Sequence, residues 1–318
     1  SPLCRAGSPA VGEDRMMARW EHYHVPGTVE EAVTLLDSYD GHAQLVGGGT
    51  DLLLDIGQGR AQAPKALVDP TQITGLNDIH REDGFIIIGC GASHAMITRD
   101  PDIIRHGTCL AEGCGVIGGP QVRNVATLAG NIAHAMPAGD GTVGLLALAG
   151  EVETADVNGR RWIPLADAFL GPGKSAIDDH RSLLTRMRFR PAGEKSGSAF
   201  FRVMRPQGVA LPMIAMAASV QLTDNDMIAR AHICIAPAGP VPRLADAAMD
   251  VVTGRPASQA VFVAAADAAL EELSLRDSKY RASRAYREQM IRAHLPRVLD
   301  RAVNRAATGR IVPWRGEV

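Results

Sequence analysis

The sequence predicts an α+β protein of two domains, on three observations. At 318 residues the chain is longer than one ordinary hydrophobic core supports. Up to Phe189 it reads as short apolar strands interleaved with short helices and glycine-rich bends. After a stretch of linker composition at residues 190–198, three longer strands are followed by three helices, the order of an α+β domain.

Residues 1–15 are polar and carry no apolar core segment, so they read as a disordered extension and not as a secretory signal, with the true start at Met16 or Met17. The first domain is assigned to residues 16–190. Thr28-Val29-Glu30-Glu31 is a capping box ahead of Ala32, Val33, Leu35 and Leu36, the start of a helix. Residues 43–46 form a strand that runs into Gly47-Gly48-Gly49, and residues 66–68 and 85–88 are further strands. Ser93 caps a short helix, and Pro101 opens a longer one that ends near Gly118-Gly119-Pro120. Residues 125–141 read as turns, broken by Gly130, Pro137, Gly139 and Gly141, and residues 142–148 as a small apolar helix. Residues 152–157 and 160–163 make a hairpin on Asn158-Gly159, and residues 183–189 close the domain with a strand.

The second domain is assigned to residues 199–310. Its strands fall at 199–204, 213–222 and 227–235, with Asp224-Asn225-Asp226 as a turn. Helices follow at 244–252 and 258–273. A last amphipathic run, 281–307, should kink at Pro296 and stop at Gly309.

Composition narrows the function. A net charge of −2 provides no basic field for nucleic acid or an anionic membrane. Aromatic residues at 4% argue against a base-stacking platform, and no apolar run is long enough to span a bilayer. The five cysteines, Cys4, Cys90, Cys109, Cys114 and Cys234, are an odd number without C-x-x-C spacing. They read as reduced thiols of a cytoplasmic protein, with neither metal nor iron–sulfur cluster expected on this chain.

The glycines carry the functional signal. In Leu45-Val46-Gly47-Gly48-Gly49-Thr50-Asp51-Leu52 a strand delivers the chain to three glycines, whose amides can converge on an anion such as a diphosphate. A Rossmann pattern would need glycine where Leu52 stands, and a P-loop needs Gly-Lys-Ser/Thr, which is absent; a plain glycine-rich turn is the bland alternative. About eighty residues on, Val122-Arg123-Asn124-Val125-Ala126-Thr127-Leu128-Ala129-Gly130-Asn131-Ile132 is a second small-residue segment, followed by Pro137-Ala138-Gly139-Asp140. It offers backbone donors, the Thr127 hydroxyl and the Asn131 amide, while Asp140 either accepts from sugar or ribityl hydroxyls or caps a helix.

The pairing of these two segments resembles the FAD-binding subunits of molybdenum hydroxylases, the family of the carbon monoxide dehydrogenase medium subunit and the xanthine dehydrogenase flavin domain. The resemblance extends over most of residues 20–307. It includes Asp167-Ala168-Phe169-Leu170-Gly171-Pro172-Gly173-Lys174, the turn Pro240-Val241-Pro242-Arg243, and Ser278-Lys279-Tyr280-Arg281. It implies a vanillyl-alcohol-oxidase (PCMH-type) FAD-binding domain of two subdomains and a C-terminal α+β domain with an antiparallel sheet and helices. By the same resemblance, Leu45, Val46, Gly47, Gly48, Gly49, Thr50, Asp51 and Leu52 wrap the diphosphate of FAD. Thr127, Gly130 and Asn131 add contacts along the dinucleotide, and Asp140 holds the ribityl or ring region. Ile117, Gly118, Val122 and Ala126 line the adenine side, while Leu184 and Arg202 approach the isoalloxazine ring.

Four departures stand out. Ala129 replaces a glycine of the family pattern and would cost roughly 1 kcal/mol if that position needs positive φ. His134 replaces a smaller residue and is either a flavin-adjacent group or a surface histidine. Arg202 stands where a lysine is common. The family's Arg-Arg/Asp pattern is missing at residues 206–210.

The implied role is electron transfer without a catalytic residue on this chain. Molybdopterin cytosine dinucleotide would sit on a large subunit and [2Fe–2S] clusters on a small one, in a dimer of heterotrimers. A stand-alone FAD-dependent oxidase of the same fold is the alternative, and a scaffold that has lost flavin is a third reading. Gly48→Val is expected to fill the amide nest and abolish flavin retention, and Arg202→Ala to lower the flavin midpoint potential.

Overall fold

The computed structural model describes residues 20–205, 211–279 and 281–313. The extension read at residues 1–15, Met16, Met17, residues 206–210 and Tyr280 lie outside the described residues.

Strands β1 (His22–His24), β2 (Ala43–Leu45) and β3 (Ala66–Val68) pair in parallel in the order β1-β3-β2. Parallel neighbours need crossovers, and α1 (Val29–Ser38) and α2 (Leu52–Gly57) lie on them. The Thr28 hydroxyl caps α1 by accepting from the Glu31 amide at 3.1 Å. Glu31 reaches back to the Gly27 amide at 2.8 Å, one residue before the usual capping-box partner. Val29, Ala32, Val33 and Leu36 form its buried stripe, the spacing of one helix face.

A second sheet follows. Strands β4 (Ile79–Glu82) and β5 (Phe85–Gly89) lead into α3 (His94–Ile97), capped by Ser93. The single helix expected from Pro101 is two, α4 (Pro101–His106) and α5 (Thr108–Gly115). The chain leaves helical geometry at Gly107, where a Cβ would lie 2.8 Å from the Phe189 ring and 2.9 Å from Leu148. Residues 125–141, expected as turns, hold parts of three helices: α6 (Pro120–Val125), α7 (Leu128–Ala133) and α8 (Asp140–Leu146). The first two are too short to show a helical period in sequence, while α8 is the small helix expected at 142–148, begun two residues earlier. Strands β6 (Glu151–Asp156) and β7 (Gly159–Pro164) form the Asn-Gly hairpin, β8 (Phe169–Gly171) and β9 (Lys174–Ser175) a smaller one. Strand β10 (Leu183–Phe189) completes an antiparallel sheet of order β4-β5-β10-β6-β7.

The last sheet is antiparallel, β11 (Ser196–Val203), β12 (Ile214–Leu222), β13 (Ile228–Ala236) and β14 (Arg243–Leu244) in sequence order. Strand β11 begins at Ser196, inside the stretch read as linker. Helices α9 (Asp246–Val252), α10 (Gln259–Glu272) and α11 (Arg284–Thr308) cover one face. Helix α11 runs unbroken through Pro296 and ends at Gly309 in the left-handed conformation, φ 65°.

Alternation along these strands sorts their side chains between two cores. Ile214, Met216, Ala218, Ile233 and Ile235 pack under α9–α11. Phe200, Ala215, Ala217, Cys234 and Ala236 join the core of the preceding part. The small residues on that face let α5 and α8 lie close, with Ser219 Oγ donating to the Ala147 carbonyl at 2.6 Å. At the same seam Arg305 of α11 pairs with buried Glu112 of α5 at 2.6 Å and donates to the Ser198 carbonyl.

Candidate cofactor site

A cleft of about 430 Å³ opens beside the parallel sheet. Leu45, Val46, Gly47, Gly48, Gly49, Thr50, Asp51 and Leu52 line it from the first bend. Ile117, Gly118, Val122, Ala126, Thr127, Gly130, Asn131 and His134 line it from α6, α7 and the turn before them, and Leu184 from β10. Asp140 and Arg202 are not among its lining residues.

The two bends touch through their backbones. A Cβ on Gly48 would lie 2.1 Å from the Val125 carbonyl oxygen and 2.7 Å from Ala126 Cα, so only glycine allows this approach. Gly49 takes φ +67° and turns the chain into α2. The amides of Gly47, Gly48, Gly49, Thr50, Asp51 and Leu52 find no acceptor among the described residues. A run of free amides around glycines is an anion nest. Among the described residues no lysine or arginine lines the cleft, so a bound diphosphate would rest on main-chain dipoles. The cleft thus fits the phosphates of a flavin dinucleotide in donor type and in the close approach that glycine permits.

Thr127 and Asn131 are each half engaged. Thr127 Oγ1 caps α7 by accepting from the Gly130 amide at 3.0 Å, which leaves its own O–H to donate. Asn131 Oδ1 accepts from the Thr142 hydroxyl at 3.0 Å, which leaves its NH₂ free for a ligand. Ala129 lies inside α7 and is not at positive φ, so the cost foreseen for it does not arise. His134 caps the C-terminal end of α7, half-buried, at the cleft. Arg123 donates to the carbonyls of Ile117 and Gly118 at 2.9 and 2.8 Å and so shapes the turn at Gly118, φ +49°.

Sequence reasoning missed part of the wall. Gln44 and Asp179 line it joined by a 2.8 Å hydrogen bond, Ile177 and Ser182 come from the approach to β10, and Leu183 opens that strand. No local pattern marks these positions, since the 177–184 segment reaches β2 only through tertiary pairing, as in the Leu45 amide bond to the Asp179 carbonyl. Cys90, Gly91 and His94 also line the cleft. Ser93 was read only as a cap, and the histidine after it was passed over.

His94 is 1% exposed, with its amide bonded to the Ala126 carbonyl at 3.0 Å. Burial, helped by the charge of Arg123, pulls its imidazole down to about 4. A ring that resists protonation only when folded makes stability fall as pH drops from about 6.5 through about 4. Between pH 7 and pH 4 the parent chain should lose about 3 kcal/mol more unfolding free energy than His94→Gln. Urea melts at the two pH values measure this, and parallel losses in both proteins would refute it.

Asp140 is the first residue of α8, whose N-cap is Gly139, and makes no side-chain cap bond. Its carboxylate instead meets Arg202 Nη1 at 2.6 Å, with side chains 4% and 6% exposed. Burial pushes the Asp140 carboxyl up to about 6 against the pull of Arg202. The two residues placed at the flavin ring by resemblance therefore bind each other, across the seam between α8 and β11.

Comparison with known proteins gives the family. Residues 16–189 match the FAD binding domain in molybdopterin dehydrogenase, and residues 199–302 the CO dehydrogenase flavoprotein C-terminal domain. The chain is 29% identical over 289 residues to a putative xanthine dehydrogenase FAD-binding subunit of Escherichia coli K12, covering 90% of this chain and 97% of that one. It is 31% identical over 286 residues to subunit alpha of the 6-hydroxypseudooxynicotine dehydrogenase complex of Paenarthrobacter nicotinovorans, covering 89% and 95%. A solved carbon monoxide dehydrogenase from Hydrogenophaga pseudoflava superposes with TM-score 0.85 at 26% identity, over 91% of this chain and 99% of the other. Both glycine-bearing bends fall within the part that matches the FAD-binding domain, and the chain belongs to the flavoprotein subunits of the molybdopterin dehydrogenases.

Proposed function

We propose that this chain is the FAD-carrying electron-transfer subunit of a heteromeric molybdopterin-dependent hydroxylase. In that role it relays electrons from [2Fe–2S] clusters on a small subunit to an external acceptor, while a large subunit with molybdopterin cytosine dinucleotide oxidises the organic substrate. A dimer of such heterotrimers in the cytoplasm is the assembly proposed. Free, buried Cys90, Cys109, Cys114 and Cys234 support a reducing compartment.

The observation that carries the reading is the run of acceptor-free amides from Gly47 to Leu52 held against Val125 by Gly48. FAD, when bound, supplies one- and two-electron redox chemistry; the chain's share is to hold the nucleotide and control access to it. The nest would take the diphosphate, and Thr127 and Asn131 would donate along the chain of the dinucleotide. Ile117, Gly118, Val122 and Ala126 would provide an apolar seat for the adenine, with Leu184 toward the ring. His134 stands at the same wall as a further polar contact.

Purification from the native host tests the proposal. The expected product is a yellow chain accompanied by a large and a small subunit, with molybdenum, iron and releasable FAD, and a native mass of two heterotrimers. A yellow chain alone, free of molybdenum and iron, would overturn the relay in favour of a stand-alone flavin oxidase. A colourless chain would overturn both.

A further inference from the structure

We infer that His94 is a neutral hydrogen-bond donor to the flavin nucleotide, held in its Nε2–H form by the thiol of Cys114. The inference rests on the flavin reading of the cleft and adds to it a contact that neither glycine segment announces.

The position of the residue is tightly set. Ser93 pairs with Thr127 as an isolated bridge and caps α3, and the His94 amide bonds to the Ala126 carbonyl. The backbone of His94 is therefore fastened to the bend between α6 and α7 that contacts Gly48. From there the ring reaches the cleft wall. Behind it, Nδ1 lies 3.4 Å from Cys114 Sγ of α5. Gly141 of α8 closes over the pair: its Cβ would lie 3.2 Å from that sulfur and 3.6 Å from His94 Cε1, which leaves the ring little room to turn.

The contact with Cys114 decides the tautomer. A neutral imidazole carries one proton, and the nitrogen without it is a good acceptor. A thiol is a weak donor and its sulfur a weaker acceptor, so S–H to Nδ1 is the better of the two arrangements. Burial in apolar surroundings raises the Cys114 pKa and keeps the thiol protonated, as this arrangement requires. With Nδ1 accepting, the ring proton sits on Nε2, for which no acceptor exists among the described residues. The rest of the residue is buried, so this N–H at the cleft looks to whatever occupies the cleft for its acceptor. A flavin nucleotide is rich in what is missing, with acceptors on its phosphates, ribityl chain and ring carbonyls. A neutral donor also suits a ring whose protonation is opposed by the charge of Arg123, which lies behind the lining residues. Cys114 is in this account a positioning residue, and His94 the one that touches the ligand.

The test uses the full chain with ¹⁵N-labelled histidine, and His94 assigned by its loss in His94→Gln. The spectrum should show Nε2 protonated and Nδ1 bare before FAD is added, and the Nε2–H signal should move when FAD binds. His94→Leu should weaken FAD binding about tenfold, the scale of one neutral hydrogen bond. His94→Gln, whose amide N–H reaches a similar place, should return affinity to within about threefold of the parent. Cys114→Ala should leave the ring present but show both tautomers in the spectrum. A proton on Nδ1 in the parent chain, or a His94 signal indifferent to FAD together with parental affinity in His94→Leu, overturns the inference. If His94→Leu fails to fold, the spectrum of the parent chain alone decides. If the parent chain binds no FAD at all, the flavin reading itself falls, a result distinct from a parent that binds FAD without involving His94.

Discussion

Gly48→Val strips the chain of FAD. The sequence alone suggested that a branched side chain would fill the nest. The structure moves the collision to the other bend, because the Cβ would overlap the Val125 carbonyl oxygen at 2.1 Å and the Val125 carbonyl carbon at 2.6 Å. Backbone has no rotamer to escape by, so the two bends must separate and the amides between Gly47 and Leu52 lose their common focus. Forced overpacking of this kind costs about 3 kcal/mol or more, roughly a hundredfold or greater rise in Kd for FAD. Gly47→Ala is the graded control. Its Cβ meets only the Thr127 side chain, with the hydroxyl nearest at 3.3 Å, and affinity should change less than about tenfold. Flavin content after desalting, read from absorbance, checks both. A Gly48→Val protein as yellow as its parent would show that the two bends do not jointly hold the nucleotide.

Arg202→Ala destabilises the fold across its seam. Among the described residues the guanidinium is the one ion-pair partner of Asp140, at 2.6 Å, and both side chains are almost wholly buried. Removing it leaves a carboxyl in a low-dielectric site with Oδ1 already lacking a hydrogen bond. Breaking a buried pair from one side costs about 3–5 kcal/mol. Asp140→Asn added to Arg202→Ala should recover much of that loss, since the orphaned charge is then gone, and a double-mutant cycle in urea isolates the coupling. The placement also revises the expectation for the flavin. A cation neutralised by Asp140 and absent from the cleft wall should leave the midpoint potential of retained FAD nearly unmoved. A marked fall in potential with stability intact would return Arg202 to the ring.

What was legible in sequence was chemistry written in neighbouring residues. Thr28 and Glu31 cap α1, Asn158-Gly159 turns its hairpin and Gly309 stops α11, each through contacts a few residues apart. The long strands of the last sheet were equally plain, because nine-residue apolar runs bounded by turn residues stand out in sequence. Strands β1 and β4 and helices α2, α6 and α7 were missed because three to six residues carry no readable period, and the two strands lack the apolar run that marked β2 and β3. The break at Gly107 answers to Phe189, a residue far along the chain.

The cofactor wall divides in the same way. The amino-acid order by itself determined that two glycine-bearing segments exist, what donors they bring and which family they resemble, because those properties belong to short contiguous runs. Only the tertiary structure decided that Gly48 presses on Val125, that His94 and Asp179 join the wall, and that Asp140 turns to Arg202 instead of the cleft. Those outcomes depend on which side chains are driven together out of water, and a buried charge takes the nearest opposite charge whatever its distance along the chain.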